Sequence, residues 1–368
     1  MCSEDRFMAM DRREFLRLGG AGLAGAVLLG GAYGGRALAE TGSLRAEFES
    51  AAQTYRVPVE LLLAMGYVNT LWEMPPPSAS DYEPGDLTGR GAYGILQLMQ
   101  NPSTDTLGEA ASLTGLSEDT LKADRAANVR GGAAVLADMQ GEARPSDLNG
   151  WQGAVGEYGG GPLYAVQVYE VLKSGASATI STGEHLDLAP QEGVEVPQVY
   201  STSATRDYRK AVWRPAYSGN YTNANREHSQ GIGMIVVHVA QGSYSGTINW
   251  FQDRRANVSA HYVLRRDGKV AQCVRNEDIA WHAGNWKYNK HSIGIEHEGY
   301  ADHRRTWSDA MYRASAQLAA HLSKRYNVPL DRRHVLKHKW VPGTDHYCPG
   351  KYFDYDRYLH LVRRFRRR

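Results

Sequence analysis

The sequence has three cysteines in 368 residues and no Cys-x-x-Cys pair, which excludes a disulfide-built scaffold and a cysteine-rich structural zinc knuckle. It also lacks an excess of either charge. Lys and Arg total 42 against 40 Asp and Glu, a net charge of +2, so no global field points to nucleic acid, and no basic nucleic-acid motif is present. It lacks a comfortable membrane span, since the Gly/Ala/Leu run from Leu18 to Ala32 is short and rich in glycine. No internal repeat is evident. Histidine is scarce in the first half: of 13, only His185 precedes His228. A chain of this length holds two ordinary domains with substantial cores.

The later histidines fall on a pattern. Met234-Ile-Val-Val-His238 is an apolar run closed by a histidine, Val335-Leu-Lys-His338 is a second, and Cys348 follows in a Tyr-Cys-Pro-Gly turn. Imidazole and thiolate donors suit zinc, whereas calcium and magnesium take oxygen donors. Three protein ligands leave a fourth position for water, which is how catalytic zinc is held, and no second cysteine stands near Cys348 to close the shell. The competing reading keeps His238 and His338 as satisfied core histidines and Cys348 as an inert buried thiol. A Cys273–Cys348 disulfide also competes, because it would consume a ligand.

Further blocks follow this frame in order: Val258-Ser-Ala-His-Tyr-Val, Arg266-Asp-Gly-Lys-Val, Ile279-Ala-Trp-His-Ala-Gly284, Ser292-Ile-Gly-Ile-Glu-His-Glu298, Leu336-Lys-His338 and Thr344-Asp-His-Tyr-Cys-Pro-Gly350. Together they resemble the zinc amidase domain shared by N-acetylmuramoyl-L-alanine amidases, phage amidase lysozymes and peptidoglycan recognition proteins. The resemblance implies His238, His338 and Cys348 as metal ligands, some members having aspartate at the third position. It implies Glu296 as the residue that activates water, because the alternative tyrosine position holds Ala260. It implies His346 as the group that stabilises the oxyanion. Glu298 is the second candidate for the base, as side chains two apart in a strand share a face. His282 is expected to line the substrate groove or to pack its loop. The implied substrate is peptidoglycan, with no nucleic acid; family members lacking a complete zinc site bind it without cutting. A zinc peptidase acting elsewhere in the stem would use the same metal with a different groove.

Upstream, Asp11-Arg-Arg-Glu-Phe-Leu-Arg17, the apolar run and Ala37-Leu-Ala39 resemble a cleaved twin-arginine export signal, implying a secreted or wall-associated protein with no stable membrane span after signal removal. From about Leu44 to Ser174 the spacing predicts helices, including Val59 to Val68, Asn128 to Ala137 and Ala165 to Leu172. Gly91-Ala-Tyr-Gly-Ile-Leu-Gln-Leu-Met99, the Asn-x-x-Gly-Gly-Ala helix and Glu157-Tyr-Gly-Gly-Gly161 resemble the lysozyme-like fold of lytic transglycosylases. That family's catalytic glutamate falls on Asn69, whose amide releases no proton near neutral pH, so the chemistry is expected to be lost. A bifunctional amidase and transglycosylase is the other possibility. Trp72 and Tyr93 are candidates for sugar stacking.

The expected architecture is therefore multidomain: a signal over 1–39, an all-α lysozyme-like domain over 44–174, a Ser/Thr/Gly/Pro-rich linker over 175–230, and over 231–368 an α+β amidase domain with a central mixed β-sheet flanked by helices. Asp267-Gly268 predicts a tight hairpin, and Ser308 to Tyr326 an amphipathic helix. The basic end Arg363 to Arg368 reads as a solvated helix terminus or an anchor to anionic wall polymers.

Overall fold

The computed structural model describes residues 42–199, 206–226 and 231–367; the export-signal reading lies outside them. The first half is helical: α1 Leu44–Tyr55, α2 Val59–Thr70, α3 Thr106–Thr114, α4 Glu118–Ala123, α5 Arg125–Gln140, α6 Gln152–Tyr158 and α7 Pro162–Ser174. Side-chain caps start several of them, with Ser43, Asp105, Ser117 and Asp124 each accepting an N–H of the first turn. Two small antiparallel hairpins make this half less than all-α: β1 Ala92–Tyr93 with β2 Leu98–Met99, and β3 Ala176–Thr179 with β4 His185–Leu188.

The second hairpin corrects the expected linker. Ala178, Ile180, Leu186 and Leu188 are buried in the same apolar core as Phe48 and Leu62, so the helical half continues past residue 174. Only two turns of apolar alternation, embedded in Ser, Thr and Gly, carry this in the sequence. The far end of the stretch is also structured, because β5 Ala211–Trp213 joins the main sheet and β6 Tyr221–Thr222 pairs with β10 Ile279–Ala280.

That sheet has the order β12-β7-β11-β8-β9-β5, with β7 Met234–Val237, β8 Tyr262–Leu264, β9 Val270–Gln272, β11 Ser292–His297 and β12 Val335–Lys337. β12, β7, β11 and β8 run parallel, while the Asp267-Gly268 turn returns β9 antiparallel to β8, making the sheet mixed. The helices of this half are α8 Tyr244–Gln252, α9 Trp286–His291, α10 Asp309–Tyr326 and α11 Tyr355–Arg366. Helix α10 buries Met311, Leu318, Ala319 and Leu322, is capped by Ser308, and ends at Asn327 in the left-handed region, as its pattern predicts.

From Gly42 on, the chain forms one compact unit, and polar side chains stitch its halves. Glu73 of the helical half accepts from the backbone and hydroxyl of Ser181 and lies 3.0 Å from His303 of the sheet half. The buried Arg90 guanidinium donates to the Gln241 carbonyl at 3.2 Å. It lies so close to Gly242 that a Cβ there would meet it at 1.7 Å, so any side chain at 242 would displace the guanidinium.

Candidate active site

His238 follows β7 directly and His338 follows β12, the adjacent parallel strand. Both imidazoles therefore emerge at the carboxyl ends of neighbouring strands, where parallel sheets commonly build their sites. Cys348 comes from the loop before α11 and accepts the Val239 N–H at 3.0 Å. One ligand atom from each of His238, His338 and Cys348 lies within 4.8 Å of the other two, and all three residues are buried. Among the described residues, His238 Nδ1 and His338 Nε2 have no hydrogen-bond partner. Buried polar atoms without partners are costly, and a soft N, N, S donor set that converges on one point fits zinc.

The protonation states fit as well. Burial holds His238 well below the ordinary imidazole value and lowers His338 to about 4, so both rings are neutral at pH 7, the form that binds metal. Burial, reinforced by the Glu296 charge, pushes the Cys348 thiol up; a metal would displace that proton.

Behind His238 a hydrogen-bond chain sets the tautomer. The Ser292 hydroxyl donates to the Tyr288 carbonyl at 2.6 Å, so its oxygen accepts the Nε2–H of His282 at 3.1 Å. The bare Nδ1 of His282 then accepts the Nε2–H of His238 at 3.0 Å, which leaves the lone pair of His238 Nδ1 facing His338 and Cys348. His282 is 1% exposed and its ring lies on β11, where a Cβ on Gly294 would meet it at 2.4 Å. The Asn289 side chain pins its loop by accepting the N–H groups of His282 and Ala283. This corrects the expectation that His282 lines the substrate groove: it orients a ligand from behind. His282→Ala is expected to weaken metal retention about 10–100-fold with the fold intact, measured by competition against a chromogenic chelator.

Glu296 on β11 is 1% exposed, both its carboxylate oxygens lack hydrogen-bond partners among the described residues, and one lies 3.8 Å from His238 Nδ1. Burial, with a contribution from the Asp86 charge, pushes it up to about 8. Glu298 does not compete for this role. Its Oε1 accepts from Gln167 and from the Tyr244 N–H, and its Oε2 from the Arg266 N–H at 2.9 Å. A carboxylate so occupied is a fastener between the halves. His346 stacks on His338 with ring centroids 4.8 Å apart, and its Nε2 lies 3.4 Å from Asp86 Oδ2.

Cys273 and Cys348 are both free thiols buried in separate apolar clusters, so the disulfide alternative is not realised. Trp72 is fully buried with its indole N–H on the Leu63 carbonyl, and Tyr93 is buried with its hydroxyl on Asp81; both are core residues and not sugar platforms. Asn69 ends α2 at 4% exposure with its Nδ2 unpartnered. It lines a cavity of about 340 Å³ formed with Glu157 and Tyr164 of the helical half and Asn249 and Trp250 of α8. The sequence reading missed the roles of Ser292, Tyr288 and Asp86: the first two act within one loop and strand start through side-chain geometry, and Asp86 meets His346 from far along the chain.

The N-acetylmuramoyl-L-alanine amidase family pattern matches residues 228–351. The chain is 37% identical over 174 residues to N-acetylmuramoyl-L-alanine amidase A of Achromobacter lyticus, across 42% of this chain and 95% of that protein. It is 35% identical over 113 residues to the 1,6-anhydro-N-acetylmuramyl-L-alanine amidase AmpD of Haemophilus influenzae, across 29% of this chain and 59% of that protein. A solved selenomethionine AmpD derivative overlays with a TM-score of 0.35 at 26% identity, covering 43% of this chain and 99% of that one. With the family pattern spanning the His238, Glu296, His338 and Cys348 cluster and 95% of the Achromobacter enzyme matched at 37% identity, the chain belongs to the N-acetylmuramoyl-L-alanine amidase family.

Proposed function

We propose that this protein hydrolyses the amide between N-acetylmuramic acid and the L-alanine of the peptidoglycan stem peptide, as a zinc enzyme. The observation that carries the reading is the convergence of the unpartnered His238 Nδ1 and His338 Nε2 with Cys348 Sγ beside the unpartnered carboxylate of Glu296. His238, His338 and Cys348 would hold the ion. Bound there, zinc supplies a Lewis acid that lowers the pKa of water to about 7 and polarises a carbonyl.

The chain's own groups supply the rest. An amide resists attack at neutral pH, so a base must take the water proton, the tetrahedral oxyanion needs a donor, and the departing amine needs a proton. Glu296 accepts the proton and returns it to the amine nitrogen, which balances the reaction without external acid. Glu296 lies 3.8 Å from His238 Nδ1, so a cation held there would favour its ionised, basic form. His346 donates its N–H to the oxyanion. The His282 and Ser292 chain keeps the His238 lone pair aimed.

The helical half, of lysozyme-like descent in this reading, contributes binding. Asn69 cannot act as a general acid, while its amide and the Tyr164 hydroxyl beside it, both lining the cavity, suit a neutral sugar. The twin-arginine resemblance of the first residues supports export, with the enzyme secreted or on the wall.

The test is mass spectrometry of purified peptidoglycan treated with the protein, with and without a zinc chelator. Free stem peptides and peptide-free glycans that vanish with chelation are expected. Anhydromuramyl ends that persist in chelator would move the activity to the helical half, and binding without product would leave a recognition protein.

A further inference from the structure

We propose that Asp86, carried by the 81–90 loop of the helical half, is a positioning residue for His346, so that the helical half supplies part of the amidase centre. This rests on the zinc amidase reading above.

The geometry is specific. One carboxylate oxygen of Asp86 is tied down by its own loop: Oδ1 accepts the Thr88 N–H at 2.6 Å, the Thr88 hydroxyl at 2.9 Å and the Gly89 N–H at 3.1 Å. With one oxygen fixed by three donors, the direction of the other is fixed as well. That other oxygen, Oδ2, lies 3.4 Å from His346 Nε2, and the Asp86 side chain is only 15% exposed. A solvated loop acid has neither property.

The loop is anchored to the sheet half on both sides of Asp86. Leu87 is buried in a cluster with Trp250, Val263 and Ala280. The Asp86 carbonyl accepts the Trp250 indole N–H at 3.4 Å. At the loop's end Arg90 grips the Gln241 carbonyl, three residues after His238. Within the loop, the Glu83 N–H donates to the Gly89 carbonyl and the Ser80 hydroxyl to the Thr88 carbonyl. The carboxylate sits close enough for its charge to be felt at Glu296, His338 and Cys348.

His346 needs such a partner. Its stacking on His338 fixes the plane of the ring but not which nitrogen faces which way, since a flip about the Cβ–Cγ bond preserves the stack. A carboxylate 3.4 Å from Nε2 distinguishes the two flips, and because both ring nitrogens donate in the imidazolium form, Nδ1–H is then left with a defined direction. An oxyanion donor has to be set before reaction, because reorienting it during the step costs rate.

The experiment uses the full chain in four forms: wild type, Asp86→Asn, His346→Ala and the double variant. Asparagine keeps an oxygen for the Thr88 and Gly89 hydrogen bonds, so the loop can persist; bound zinc per chain and the thermal midpoint are measured alongside to verify it. On a soluble muropeptide, Asp86→Asn is expected to lower kcat about 10–100-fold with KM little changed and zinc content intact. In the His346→Ala background the same substitution is expected to cost nothing further, the coupling expected of residues acting as one unit. An unchanged kcat, or an equal loss in both backgrounds, would overturn the proposal. Higher activity would also overturn it, showing a carboxylate that masks the metal, as would loss of zinc, showing one that holds it. Wild-type turnover and its loss in chelator are measured first; their absence would sink the amidase reading itself, separately from the role of Asp86.

Discussion

His338→Ala is expected to lose bound zinc and to fall at least about a thousandfold in amidase turnover, since removing one of three ligands from an open site forfeits several kcal/mol of metal binding. The reading of these histidines as ordinary core residues makes a different prediction: a cavity and a stability loss, with chelator having no effect on the parent. Two observations favour the metal. The ligand atoms of His238 and His338 have no protein partner although both residues are buried, and burial keeps both rings neutral. Proton competition at the imidazoles therefore sets in only well below neutral pH, which leaves the Cys348 thiol, pushed up by burial, as the ligand whose proton a metal must displace. The third ligand offers a finer check. Cys348→Ala is expected to behave like His338→Ala, whereas Cys348→Asp should keep part of the zinc and turnover, as aspartate is an acceptable third ligand. Chelation of the parent should lower its thermal midpoint, because a ligand present at a thousand times its Kd stabilises the folded state by about 4 kcal/mol. Atomic emission for zinc, turnover on a muropeptide and a thermal scan together measure all of this.

The cluster of His238, His338 and Cys348 was legible in the sequence because each member is announced by its local context. Val236-Val237-His238 and Leu336-Lys337-His338 close apolar runs, and parallel strands place such ends together. The Asp267-Gly268 hairpin and the α10 pattern were equally plain, since turn chemistry and helical period are local signals. What could not be read is what depends on contacts across the chain. His282 carries the same letter whether it faces a groove or stands behind His238; only the position of Ser292 and the Tyr288 carbonyl decides. The β3 and β4 hairpin looked like linker because Ser, Thr and Gly outweigh the four apolar residues it contributes to the helical core. Glu296 and Glu298 are indistinguishable by period, yet one is left without partners and the other is saturated by Gln167, Tyr244 and Arg266. All three donors lie 32 or more residues from Glu298 in sequence, which no strand pattern encodes.

That contrast sets up the second large effect. Glu296→Gln is expected to lower kcat about a thousandfold, within the range for removing a general base, while zinc content and KM stay near those of the parent. The split matters: loss through a damaged metal site would remove zinc as well, and loss of substrate binding would raise KM. A stability measurement adds a sign that activity alone cannot give. In the metal-free protein, burial raises Glu296 to about 8, above the value of about 4.3 for an unfolded carboxylate. Between those two values the unfolded chain is ionised while the folded one holds the proton, so the group costs folding free energy that grows as pH rises from about 4 and levels off near 8. Glutamine carries no such penalty. In chelator, the variant should therefore be more stable than the parent at pH 8, by an amount on the order of a few kcal/mol, and the gap should close as pH falls towards 4. Urea unfolding at two pH values measures it. A gap that is absent at pH 8 would mean that Glu296 has a partner in the folded protein, and with it that the carboxylate is not free to serve as the base. A gap together with the thousandfold loss would locate in one side chain both the folding cost of the site and the proton transfer that the cost secures.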